Sequence, residues 1–199
     1  MAKKYTKLEY IESTGTQLID TEYIPNNNSH FICEFSGGNP NSTVFGSDSG
    51  SYTNNSLFIG NNEIGKGIYL IINEALWRDT STVHSDKKII EIKCKNYFKV
   101  NDNIYDISAY NITNEKTLSL FGLHRGDDYF AAPFKVYSFQ ILENGVLKSN
   151  YIPAKTSTGV VCMYDTVSDE FFYNQGTGYF IAGPVVSPHV LENDNIKII

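Results

Sequence analysis

Apolar and polar residues alternate in short runs along most of this chain, and clusters of Gly, Asn, Asp and Ser cut the runs apart. In "IIEIKCK" (89–95), Ile90, Ile92 and Cys94 alternate with charged residues, a period of two that predicts a strand with one wet face. "HFICEFS" predicts another strand, ended by the turn residues of "GGNPNS". "TVFGS", "LFIGNN", "GIYLIIN" and "TLSLFGL" add further strands. "NYFKVNDNIYDI" sets two apolar runs around a turn cluster, and "FKVYSFQILENGVL" sets two around Asn144-Gly145, so both predict hairpins. No stretch of helical length keeps an apolar 3.6-residue period between caps. Short strands at fairly regular spacing predict an all-β sandwich or barrel.

Composition narrows the classes. The 199 residues are 41% hydrophobic and 14% aromatic, enough for one substantial core in one domain. The net charge is -6, and "KK" at 3–4 and 87–88 is too short to make a basic face. Nucleic acid and anionic membrane are therefore not expected as partners. The bulk field also disfavours anionic wall polymers, so salt should matter little. Cys33, Cys94 and Cys162 are odd in number and widely spaced, which predicts buried thiols on strands rather than a disulfide or zinc framework. The N-terminus shows no signal peptide, and no apolar run approaches a membrane span, so a soluble chain made in the cytoplasm is expected, unless it belongs to a longer exported protein. Sequons at Asn27, Asn41, Asn54 and Asn111 lie in Asn- and Ser-rich loops and reflect loop composition.

The segment "GVVCMYDTVSDEFFYNQGTGYF" (159–180) is too aromatic for a solvated tail. A tail in water would not carry Tyr164, Phe171, Phe172, Tyr173, Tyr179 and Phe180, so the segment must bury these aromatics and the core should be incomplete without it. After it, "PVVSPHVLENDNIKII" loses its aromatics. Residues 1–184 are expected to form the domain and 185–199 a linker or extension.

These segments also carry a family likeness. "YIESTGTQLIDTEYIP", "LSLFG", "FKVYSFQILENGVLKSNYIPA" and "GVVCMYDTVSDEFFYNQGTGYFIAG" together resemble the concanavalin A-like, laminin-G-like jelly rolls. Such domains occur in phage tail and baseplate proteins and in Gram-positive surface proteins. The likeness spans residues 5–184, and its most specific part is the closing segment. It implies a jelly-roll sandwich of two antiparallel sheets in a virion or on a cell surface. It implies a cell-surface glycan as ligand, and further copies of the chain or other tail proteins as neighbours. Many laminin-G-like domains hold calcium, for which Asp48 and the pair Asp127–Asp128 are the only candidates. Neither spacing approaches six oxygens, and no cofactor is expected.

Three functional classes remain to be weighed. A retaining glycosidase needs two carboxylates in one cleft, and no E-x-D-x-E run exists. The neighbouring acids of "SDE" and "GDD" would point to opposite faces of a strand. His30, His84, His124 and His189 lie in no nucleophile context. The chain is therefore not expected to be an enzyme. A saccharide binder fits two stretches read as loops, "EALWRDTSTVH" and "GLHRGDDYF". Trp77 would stack on a sugar ring, and Arg78 and Arg125 would donate paired hydrogen bonds. Asp79, Asp127 and Asp128 would accept from hydroxyls, with His124 or Tyr129 closing one side. The competing readings are Trp77 as a core residue and "HRGDD" as an internally salt-bridged loop. A purely structural virion or surface module is the third class.

Overall fold

A computed structural model describes residues 5–50, 56–61, 66–73 and 75–186. Among the described residues there is no helix. The strands begin with the short β1 (Tyr5–Lys7), β2 (Ile11–Glu12) and β3 (Ile19–Asp20). Next come β4 (Ser29–Gly37), β5 (Thr43–Asp48), β6 (Ser56–Asn61), β7 (Lys66–Ile72) and β8 (Ala75–Val83). After them lie β9 (Lys88–Lys93), β10 (Tyr97–Val100), β11 (Asn103–Asp106), β12 (Ser119–Leu120), β13 (Gly122–Arg125) and β14 (Asp128–Ala131). The two longest are β15 (Phe134–Glu143) and β16 (Val146–Thr156). Last are β17 (Val161–Asp165), β18 (Glu170–Phe172) and β19 (Ile181–Ala182).

They make two large sheets. The first runs β11-β10-β9-β4-β15-β16-β17-β18, with β1 beside β16 and with β2 joining β15 to β19. The second runs β14-β13-β5-β6-β7-β8, with β12 and β3 attached at β5. Pairing is antiparallel throughout except for β13 and β5, which run parallel. The predicted hairpins form at the predicted turns. Asn144 and Gly145 both adopt positive φ (52° and 77°) between β15 and β16, the geometry that matches strand twist in a two-residue turn.

Alternation builds the core. Phe31, Cys33 and Phe35 of β4 and Ile90 and Ile92 of β9 point to one side of the first sheet, and all are fully buried. They meet Phe45, Leu57, Ile59, Ile68, Leu70 and Ile72 of the second sheet in one cluster. Phe45 bridges the layers, with its ring 5.9 Å from Phe31 and 5.0 Å from Phe139. The molecule is thus a β-sandwich. The three cysteines are buried free thiols, and burial raises each of their pKa values.

The closing segment enters this core in part: Tyr164 and Phe171 pack in a separate cluster with Ala154 and Cys162, and Tyr173 and Tyr179, expected inside, are 48% and 89% exposed. Met163 and Phe180 are buried in the main cluster, and Phe172 packs against it. Phe180 lies 4.8 Å from the Phe121 ring. The chain pairs with itself slightly past the expected boundary at 184. Val185 bridges Leu8, and the Val186 amide donates to the Lys7 carbonyl at 3.0 Å. The rest of the expected linker, 187–199, lies outside the described residues.

Candidate functional site

The two stretches read as loops are strands. "ALWRDTSTV" is β8, one edge of the second sheet, and "GLHRGDDYF" is the β13–β14 hairpin at the opposite edge. Residues adjacent in a strand point to opposite faces, and this splits both candidate clusters.

On β8, Trp77 lies across from Leu70 and Asp79 across from Ile68, both core residues. Trp77 is half-buried against the core and meets the Tyr110 ring edge-on at 4.7 Å. It cannot stack on a ligand from there, so the competing reading of Trp77 as a core residue is the one the structure supports. Asp79 is only 1% exposed. It accepts hydrogen bonds from Ser81 Oγ (2.8 Å), Asn103 Nδ2 (2.7 Å) and Tyr105 Oη (3.0 Å), and so ties β8 to β11 of the other sheet. Burial alone would raise its pKa, but the hydrogen bonds from Ser81, Asn103 and Tyr105 hold it below the ordinary value. Asp79 is a clasp between sheet edges, its carboxylate oxygens taken up by the protein's own donors rather than left for the hydroxyls of a ligand. Arg78, between them, faces the other way, across from Tyr69.

The hairpin divides similarly. His124 and Tyr129 stack with ring centroids 4.2 Å apart. Tyr129 Oη and Thr117 Oγ1 both donate to Asp20 Oδ2, at 2.9 and 2.7 Å, and His124 Nδ1 lies 3.0 Å from Thr117 Oγ1. Burial and the Asp20 carboxylate push the Tyr129 hydroxyl up to about 12. Asp127 is at the exposed tip, held by Lys116 Nζ at 3.0 Å, a hydrogen bond that lowers its pKa. Asp128 lies across from Arg125.

Arg125 and Arg78 do share a surface. Both line an open groove of about 500 Å³ across the outer face of the second sheet. Its apolar lining is Phe58, Tyr69, Ile71, Leu76, Leu123 and Phe130, with Asn41, Ser42 and Thr43 at one side. Gly46 lies beneath. A Cβ there would come within 2.3 Å of Phe58 Cβ, so the absent side chain lets Phe58 and Leu123 close over the strand. Tyr69 Oη and Thr43 Oγ1 share a hydrogen bond at 3.1 Å. Phe130 is 51% exposed, with the Arg125 guanidinium 5.4 Å from its ring centre. Arg125 Nε also donates to Asp48 Oδ2 at 2.9 Å, and Asp48 is wholly buried. The two calcium candidates are thus both taken up in ion pairs, Asp48 with Arg125 and Asp127 with Lys116. No Asp or Glu stands among the described residues that line the groove.

Of the eight expected site residues, the groove takes Arg78 and Arg125 only. Phe58, Tyr69, Ile71, Leu123 and Phe130 were not foreseen. One signal pointed to them. "IYLII" (68–72) is apolar without alternation, unusual for an antiparallel strand with a wet outer face. Comparison of the sequence with protein-family models and with curated proteins gives no match to either.

Proposed function

We propose that this domain is a non-catalytic carbohydrate-binding module of concanavalin A-like jelly-roll topology. In this reading it attaches a phage tail, or a bacterial surface protein, to a cell-surface saccharide held in the groove of the second sheet. One observation carries the reading: an open groove whose apolar floor ends in an exposed aromatic ring and is flanked by two guanidinium groups. Sugars present C–H faces and paired hydroxyls, which suit aromatic rings and planar forked donors respectively. The acid-free lining favours binding over glycoside hydrolysis, which needs two carboxylates at the ligand. An open groove of this kind binds weakly per site, so attachment would rely on several copies acting together.

Glycan arrays and whole bacterial cells test this. Binding should be lost in Phe130→Ala and Arg78→Gln and retained in a variant of the His124–Tyr129 cluster such as Tyr129→Phe. Binding that survives both groove substitutions would refute the groove as the site.

A structural virion or surface module is the second reading. It is favoured by Tyr179, which is 89% exposed and followed in the chain by the exposed Ile181 and Val185, apolar groups suited to packing against a neighbouring subunit. Equilibrium sedimentation of the wild type and Tyr179→Ser distinguishes it, since only in this reading does the substitution dissociate an oligomer.

A further inference from the structure

We infer that the ligand of the groove is an acidic saccharide whose anionic group is held by Arg78, an inference that rests on the groove being a saccharide site. The chain carries a net charge of -6, yet the described residues lining the groove include two arginines and no carboxylate. The two arginines are not equivalent. Arg125 is balanced by the buried Asp48 beneath it, and Asp128 lies directly across from it on β14. That end of the groove is locally near neutral.

Arg78 stands at the other end. Among the described residues it makes no ion pair or hydrogen bond, and its side chain is exposed on the edge strand β8. Its neighbours on the same face of β8 are Leu76 and Thr80, which carry no charge, and Asp79 points into the sandwich. A guanidinium covered by a neutral ligand loses hydration and gains only ordinary hydrogen bonds in return. Covered by a carboxylate or phosphate, it gains charge-assisted, bidentate bonds of about twice the strength. The groove therefore discriminates in favour of an anion at this end.

The geometry also sets the ligand's shape. β8 and β14 are the two edges of the six-strand path, five strand spacings apart, or about 24 Å along the sheet. A ligand that touches both Arg78 and Phe130 must be elongated across the strands. An acidic group over Arg78 and sugar rings passing Leu76 and Ile71 toward Phe130 fit this path. Carboxylate and phosphodiester chemistries both satisfy the guanidinium, and the probes separate them.

The experiment is affinity electrophoresis of the full chain through gels holding polygalacturonate, a phosphodiester-bearing mannan or methyl-esterified polygalacturonate. The expected result is retardation by at least one acidic polymer. Methyl esterification or Arg78→Gln should weaken it by about tenfold, the effect of losing one charge-assisted contact. Raising the ionic strength should weaken it as well, contrary to the expectation drawn from the net charge of -6, because the local field at Arg78 and not the bulk charge governs the contact. Which acidic polymer retards the protein identifies the acid. Arg78→Lys should recover part of the effect, since it keeps the charge and loses the planar fork. If the methyl ester is bound as tightly as the acid and Phe130→Ala abolishes that binding, the acidic inference fails while the saccharide reading stands. If a correctly folded protein is retarded by none of the three, nor bound on neutral glycan arrays, both fall.

Discussion

The two faces of the second sheet are made from the same strands but use their residues differently. On the inner face, Phe45, Leu57, Ile59, Ile68 and Leu70 are fully buried and meet the first sheet. The carboxylate that points that way is engaged too, with Asp79 bound to Ser81, Asn103 and Tyr105. The outer face is also apolar in its middle, where Phe58, Tyr69 and Leu123 are themselves buried with Ile71 packed against them, and its exposed apolar residues, Leu76 and Phe130, lie toward the two edges. Its arginines stand at the margins. Exposed apolar side chains beside cations, Leu76 next to Arg78 on its face of β8 and Phe130 next to Arg125, mark the face where stability was not the only requirement on the residues.

Substitutions on the two faces should separate accordingly. Phe45→Ala removes the ring that joins the layers and should cost about 3–5 kcal/mol, read as a fall in the urea midpoint. Arg125→Ala crosses the comparison, because this groove residue also neutralises a buried carboxylate. Stranding Asp48 should cost about 3 kcal/mol, and a variant of unchanged stability would show that the pair is not structural. Trp77→Ala should cost about 2–3 kcal/mol, less than a fully enclosed aromatic because Trp77 is half-buried. Unchanged stability with lost saccharide binding would return Trp77 to the ligand site.

Asp79→Asn sharpens the inner face through pH. The native pKa of Asp79 is lowered, so its contribution is complete above about pH 4, the ordinary aspartate value, and fades as the pH falls through the native value. The wild type should therefore lose more stability than Asp79→Asn on acidification. Parallel pH profiles for the two proteins would show that the clasp does not act through charge. The smallest effect is expected at Arg78. Arg78→Gln should change stability by no more than about 0.5 kcal/mol, since nothing in the described fold depends on that side chain. A larger loss would move Arg78 from the open face to the structural one.

Much of the fold could be read directly from the residues. "IIEIKCK" forms β9 with Ile90 and Ile92 inward, Asn144-Gly145 turns where its backbone preference says, and Phe172 and Phe180 of the closing segment reach the core, whereas Tyr173 and Tyr179 stay exposed. These signals are local, or depend only on how much apolar surface must be hidden. The site was harder. Trp77, Arg78 and Asp79 are contiguous in sequence, and their mixed polarity resembles a recognition loop, because aromatics and charges side by side break the alternation that marks a strand. The rule that sends the adjacent acids of "SDE" to opposite faces applies to them equally once β8 is seen as a strand. The groove, by contrast, assembles single residues from six strands, and its existence depends on strand order. Arg78 and Phe130 lie 52 positions apart in the chain and at opposite edges of one sheet. No local pattern encodes that neighbourhood.

The seam between the two ends of the described chain has a consequence for its topology. Leu8 bridges Val185, the Glu9 amide donates to the Pro184 carbonyl, and Gly183 donates back to Tyr10. Beginning and end therefore leave the sandwich side by side, the arrangement that tolerates circular permutation and insertion into a host chain. A gene in which a short linker joins the two ends, reopened at the exposed Asn144-Gly145 turn, should yield the same sandwich. Such a module can hang from a surface loop of a larger protein without stretching its host.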